Sequence, residues 1–188
     1  AAEGERAHRE CASARDEALR RGSAPTDVIA TVSMRKEDVR EVPKGIEVVL
    51  RDASKGEGRP RGERFGTLVH EIMASVPFAF DEGETARLAA FHARALGATN
   101  SEREAAVMIV REALSHPIFD RIRKADEVRR ETWLHLREKD TSVEGVLDLA
   151  FREGSSWTVV DYKTDRDLSL RVDAYRIQLD LYVRALRE

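Results

Sequence analysis

Two apolar runs dominate the pattern along the chain: Glu144-Gly-Val-Leu-Asp148-Leu-Ala-Phe151 and Trp157-Thr-Val-Val-Asp161-Tyr-Lys163-Thr164. Each is rich in β-branched or aromatic side chains and is bounded by turn residues, which predicts two strands joined through a polar turn over Arg152 to Ser156. Side chains alternate along a strand. Trp157, Val159, Asp161 and Lys163 are therefore expected on one face, and Thr158, Val160 and Tyr162 on the other. Both faces are largely apolar, as suits a central strand covered on both sides. On the first strand Glu144, Val146, Asp148 and Ala150 are expected to share a face. A hairpin of this kind brings Asp148 close to Asp161.

Elsewhere helical periodicity prevails. Residues 1 to about 22 have a helical composition with few large apolar residues, and Gly22 is a plausible stop. Residues 25–33 read as a short strand or buried extended segment, and Ile46 to Leu50 as another short strand. The stretch from Arg51 to Gly62 reads as a linker. Phe65, Leu68, Val69, Ile72, Met73 and Val76 recur at helical spacing ahead of Pro77. A second helix is expected over 81–96, with Leu88, Phe91 and Leu96 on one side. Ser101 and Glu104 match a capping box that opens a third, through Val107, Met108, Val110, Ala113 and Leu114. Pro117 then suits the first position of a short helix reaching about Lys124. Residues 131–136 form a strand with Trp133 as its core anchor, followed by a turn over 138–142. The last helix spans Arg171 to Arg187, with Val172, Leu179, Val183 and Leu186 as core stripe. Tyr175, Gln178 and Tyr182 form a second stripe, which can face nucleic acid, order a site, or pack half-buried. The expected architecture is an α/β domain, a small mixed sheet around the 143–163 hairpin flanked by helices at 62–76, 101–115 and 171–187.

Composition narrows the class. The 188 residues are 41% hydrophobic and 36% charged, with a formal net charge of −3. Any positive field for a nucleic acid must then be local. No run approaches the roughly 20 apolar residues that cross a bilayer, and no apolar signal-peptide core opens the chain. No membrane partner and a cytoplasmic location are the expectation. One cysteine, Cys11, excludes an internal disulfide and a cysteine-held zinc or iron–sulfur cluster within this chain. There is no phosphate-cradling Gly-x-x-x-x-Gly-Lys-Ser/Thr loop and no Gly-x-Ser-x-Gly elbow.

The candidate chemistry lies where charge interrupts the strands. A charge in a buried strand is costly unless it is paired or holds a metal. Asp148 and Asp161 together make a hard-oxygen site suited to Mg²⁺ or Mn²⁺. A lysine beside it, Lys163, can hold a phosphate or the attacking water and stabilise developing negative charge. That equipment serves phosphodiester hydrolysis. His70 sits on the flank of the 62–76 stripe, one turn after Gly66; alone it reads as a satisfied boundary residue.

Taken together, Gly66-Thr-Leu-Val-His70-Glu71, Gly145-Val-Leu-Asp148, Asp161-Tyr-Lys163-Thr and Tyr175-x-x-Gln178-x-x-x-Tyr182 resemble the PD-(D/E)xK nuclease superfamily, most closely RecB-type domains at the C-terminal end of helicase–nuclease subunits. The resemblance covers roughly residues 62–188. It implies a restriction-endonuclease-like core in which His70, Asp148, Asp161 and the backbone carbonyl of Tyr162 bind Mg²⁺ or Mn²⁺. Lys163 would position or activate the attacking water. Gln178 and Tyr182 match the motif of the RecB-like branch, Tyr175 its leading tyrosine, and Glu131 an acidic residue often seen on the first core strand. Val160 stands where the family's naming proline would be, a departure common in this branch. The implied function is a DNA exonuclease of double-strand break repair and recombination. The implied partners are DNA and a helicase in the same full-length chain, with room for a second helicase–nuclease polypeptide.

Relatives with a four-cysteine iron–sulfur cluster are excluded as a guide by the single cysteine. The family's core continues with a further strand after the last helix, so this chain is expected to be a piece of a larger enzyme lacking that strand. Residues 1–61 are then the end of a preceding part. The competing expectations are a catalytically inactive DNA-binding or scaffolding module, and a helicase interaction domain whose acidic pair is merely exposed.

Overall fold

The computed structural model describes residues 2–23, 28–32, 34, 60–138, 141–164 and 171–187. The expected strand at 46–50 and most of the 51–62 linker lie outside these residues. Helix α1 (Ala2–Ser23) is followed by β1 (Val28–Thr31), then α2 (Glu63–Ser75), α3 (Glu82–Leu96), α4 (Asn100–Leu114) and α5 (Ile118–Ile122). Strands β2 (Glu127–Glu138), β3 (Thr141–Glu153) and β4 (Ser156–Val160) come next, and α6 (Val172–Ala185) closes the described fold. The result is a four-stranded mixed sheet flanked by helices.

The long strand β3 is the axis of the sheet. It pairs antiparallel with β2 along almost its whole length, from Glu127↔Arg152 to Glu138↔Thr141. Its other edge is shared by β1, parallel over residues 141–144, and β4, antiparallel from Leu149↔Val160 to Glu153↔Ser156. The β3–β4 turn needs Gly154 at φ 59, a left-handed conformation that glycine adopts without steric cost.

Helices α2 to α5 cover one face of this sheet. Phe65, Leu68, Val69, Ile72 and Met73 of α2 are buried with Ala106, Val110, Phe119, Leu149 and Phe151. Helix α6 covers the other face, burying Ile177, Leu181 and Tyr182 against Leu134, Leu136, Val143, Leu147 and Ala150. The side-chain alternation expected for β3 therefore fails at one place. Leu147 faces α6, yet Leu149, of the same parity, faces the helices of the opposite layer. On β2 the same change separates Arg130, which meets the end of α2, from Leu134 and Leu136, which meet α6. The register keeps the same offset on both sides, Arg130↔Leu149 and Thr132↔Leu147, and the step between them, at Glu131 and Asp148, is the one position where no pair forms. Glu131 has φ 42, a left-handed conformation that is unfavourable for a residue with a Cβ. Both strands roll over there, and Asp148 shares a face with Val146 but not with Ala150.

Four details differ from the pattern-based reading. Trp133 is 75% exposed, not a core anchor. Leu134 and Leu136 take the inward positions, so the intervening odd residues must point out. In α3 the buried line is Thr85, Ala89 and Ala93, while Phe91 is exposed; small residues let α3 approach its neighbours. The capping box of α4 is Thr99 with Glu102, two residues earlier than expected. Arg64 of α2 grips the Glu102 carboxylate through both oxygens, which fixes that cap from outside the helix. In α6 the buried residues are Tyr175, Ile177, Gln178, Leu181 and Tyr182, so the line read as a second stripe is the core stripe.

Gly145 marks a close approach. A Cβ there would lie 2.6 Å from Val32 Cγ2 and 3.2 Å from the Tyr182 ring. Gly145→Ala is expected to cost about 1–3 kcal/mol through overpacking. The melting temperature should fall by several degrees, at roughly 2–4 °C per kcal/mol for a chain of this size. An unchanged thermal melt would show that the two neighbours yield freely.

Candidate active site

The roll-over of β2 and β3 builds the site. Asp148 is turned toward α2, where His70 Nδ1 lies 3.6 Å from its Oδ1. Glu131, on the neighbouring strand β2, offers a third donor. Side-chain ligand atoms of His70, Glu131 and Asp148 all lie within 4.8 Å of one another. The strain at Glu131 therefore sits inside the polar cluster, where such strain is expected to serve a function.

Asp161 arrives by a different route. The β3–β4 register places it opposite Asp148, one step beyond the Leu149↔Val160 pair. The next residue ties the two together, because Tyr162 N donates to Asp148 Oδ2 at 2.7 Å. Asp161 itself forms a close ion pair with Lys163 and accepts from Gln178 Nε2 at 3.0 Å. Lys163 Nζ also lies 5.5 Å from the centre of the Tyr175 ring. Asp161, Lys163, Tyr175 and Gln178 thus form a second group on the α6 side, and Asp148 links it to His70 and Glu131.

Gln178 cannot turn its amide around. Tyr182 Oη donates to Val146 O at 2.7 Å, so it can only accept from Gln178 Nε2, 3.1 Å away. Asp161 likewise only accepts. Both amide hydrogens are committed, and Gln178 Oε1 has no donor among the described residues. Helix α6 thereby fixes the orientation of Asp161 from the strand backbone outward: Val146, Tyr182, Gln178, Asp161.

The electrostatics show a site rich in negative charge. Burial, then the neighbouring Asp161 carboxylate, push Asp148 up to about 6. His70, the Tyr162 N–H and Lys163 act in the opposite sense and are outweighed. Burial also raises Glu131, with Glu71 adding to it and His70 opposing it. Tyr182 is pushed up to about 12, mainly by burial, and so stays a neutral donor to the strand. The donor set fits a hard divalent cation: carboxylates and one imidazole, with no thiolate, around charge the protein itself leaves uncompensated.

Arg130 was not legible as a site residue. Its guanidinium donates to the carbonyls of Ala74 at 3.1 Å and Val76 at 2.6 Å, at the C-terminal end of the helix that carries His70. It also lies 3.4 Å from the centre of the Phe78 ring. A cation at a helix C-terminus both satisfies end carbonyls and complements the dipole. Arg130→Ala should leave those carbonyls unpaired and cost about 1–3 kcal/mol. Because it adjoins Glu131, the same change should weaken metal binding, read by calorimetric titration of Mn²⁺. Unaltered stability and Mn²⁺ affinity would remove Arg130 from the site's support.

The chain is similar to known proteins over part of its length. An ATP-dependent helicase/nuclease polypeptide of Clostridium novyi (strain NT) is 31% identical over 91 residues, covering 38% of this chain and 7% of that protein. The protein of the same description from Lysinibacillus sphaericus (strain C3-41) is 30% identical over 116 residues, covering 57% of this chain and 9% of that protein. The chain thus spans less than a tenth of the length of these two relatives. The family model described as the PD-(D/E)XK nuclease superfamily matches residues 45–188, a span that takes in both acidic strands, α2 and α6. A match of that extent settles membership: the chain belongs to the PD-(D/E)XK nuclease superfamily.

Proposed function

We propose that this chain is a divalent-metal-dependent deoxyribonuclease, the exonuclease domain of a helicase–nuclease that works in the cytoplasm in double-strand break repair and recombination. The observation that carries the reading is the convergence of His70, Glu131 and Asp148 within 4.8 Å, with the Asp161–Lys163 pair next to them. The helicase–nuclease relatives support a motor in the same longer chain. No described helix is long and apolar enough to cross a membrane.

In this reading His70, Asp148, Asp161 and the Tyr162 carbonyl hold Mg²⁺ or Mn²⁺, and Glu131 joins them. The cation supplies neutralisation of the phosphate charge and makes water a stronger acid. The protein supplies the rest. The Tyr162 N–H orients the Asp148 carboxylate, and Gln178 orients Asp161. Lys163 is held beside Asp161, where its ammonium positions the attacking water and stabilises charge growing on the phosphate. Tyr175, Gln178 and Tyr182 act as the ordering layer behind these groups.

Purified protein should degrade end-labelled linear single- or double-stranded DNA in Mg²⁺ or Mn²⁺, spare circular DNA, and be silent in EDTA. Cleavage that persists in EDTA, or none with either metal, would refute the metal-dependent reading. Cutting of circles would refute the exonuclease assignment alone.

A further inference from the structure

Among the described residues, no helix packs on the stretch of this sheet face that continues beyond the acidic cluster. Glu131 is followed on that face by Trp133, and Asp148 by Val146, the residue paired with Trp133. Helices α2 to α5 pack on the other end of this face, against Leu149 and Phe151. Val146 is half-buried, but Trp133 keeps 75% of its surface exposed. An indole this bare on a sheet is unusual, because it leaves a large apolar plane in water.

Its position bears on what could cover it. Two residues of strand advance about 6.6–6.8 Å. That equals two stacking steps of a nucleic-acid strand at ~3.4 Å each. A phosphate at the Glu131–Asp148 cluster therefore leaves a neighbouring base within reach of the indole. The plane is continuous with the site, and the other bulky aromatic of this region is already engaged: Trp157 lies under the Arg129 guanidinium at 4.7 Å. Trp133 has no such partner ring or cation among the described residues.

We propose that Trp133 is a substrate-binding residue that stacks on a nucleobase of a single strand whose phosphate lies at the cluster. This rests on the nuclease reading above and deepens it: the strand presented to the site is single, with its bases unpaired. Stacking is indifferent to base identity, since every base offers a π-face. The site should then need a base near the scissile phosphate but not a particular one.

The test compares the whole chain with Trp133→Phe and Trp133→Leu, using a twelve-residue oligodeoxythymidylate and the same strand carrying abasic sites. Affinity is measured in Ca²⁺ by fluorescence anisotropy, and cleavage in Mg²⁺. Trp133→Leu should weaken binding and raise KM about five- to a hundredfold, in line with ~1–3 kcal/mol per stacked base. Its kcat should stay close to wild type, and Trp133→Phe should retain most of the affinity. The abasic strand should bind wild type as weakly as Trp133→Leu binds the intact one. Oligonucleotide should also quench wild-type tryptophan fluorescence more than that of Trp133→Phe, in which only Trp157 emits. Equal KM for wild type and Trp133→Leu, with cleavage intact, would overturn the stacking role and leave the nuclease reading standing. A wild type that neither binds nor cuts the strand would overturn both. An indole that proves buried against another protein segment, with fluorescence blind to the oligonucleotide, would also overturn it.

Discussion

Purified Lys163→Ala protein is expected to lose at least about 10²–10³-fold in cleavage rate while keeping its fold, and Asp161→Ala at least as much. The size is that expected on removing a charge in the role proposed for Lys163, beside the negative charge that grows in the transition state. Lys163 is suited to that role by its surroundings. Asp161 pairs with its ammonium, the Tyr175 ring lies 5.5 Å away, and the side chain still keeps 23% of its surface accessible. Asp161 in turn is held by Gln178, so its loss removes a proposed donor to the cation and the anchor of the lysine together. Neither side chain belongs to the apolar cores, so far-ultraviolet circular dichroism should be unchanged. The measurement is single-turnover cleavage of end-labelled DNA in Mg²⁺ and Mn²⁺, beside a thermal melt. Wild-type-like cleavage by folded Lys163→Ala would end the catalytic assignment of this residue.

The reach of sequence reasoning into this site is uneven, and the reasons are physical. The β4 side was legible because a strand of strict period two fixes faces: Trp157, Val159, Asp161 and Lys163 do turn toward α6, and Val160 and Tyr162 toward the helices. The Asp148–Asp161 juxtaposition followed from the hairpin alone. The β2 side was not legible. Its alternation changes at Glu131 through a single left-handed residue, and nothing in Glu-Thr-Trp-Leu announces that φ. Once the parity shifts, Trp133 moves from core to surface and Glu131 moves into the cluster. Arg130 was hidden for another reason. Its partners are backbone carbonyls 54 to 57 residues away, and a carbonyl carries no sequence signature. The stripe on α6 could be counted but not ranked. The line ending in Tyr182 is buried because Gly145 leaves room for the ring, a complementarity between distant positions that periodicity cannot report.

Asp148→Asn should separate stability from activity, raising one while abolishing the other. The Asp148 carboxyl is nearly buried, and its pKa rises from an ordinary 3.8 to about 6. Between those values the folded chain binds more protons than the unfolded one, so stability falls as pH rises through that window. Above pH 6 the whole cost is present. Asparagine keeps an oxygen to accept from Tyr162 N and carries no charge. In EDTA at pH 8 the Asp148→Asn protein should therefore melt higher than wild type. Its stability should also lose most of the decline between pH 4 and 6. Mn²⁺ should reverse the ranking, because a ligand that binds only the folded state stabilises it by RT ln(1 + [L]/Kd). Wild type should gain from the metal, and Asp148→Asn should gain little and cut nothing. A variant less stable than wild type in EDTA would mean that Asp148 is held by attractive contacts, and that the cluster is a structural polar network with no excess charge awaiting a cation. The opposite outcome identifies the destabilising carboxylate pair as the feature that only a bound divalent ion makes favourable, which is the property a metal-dependent nuclease requires of its site.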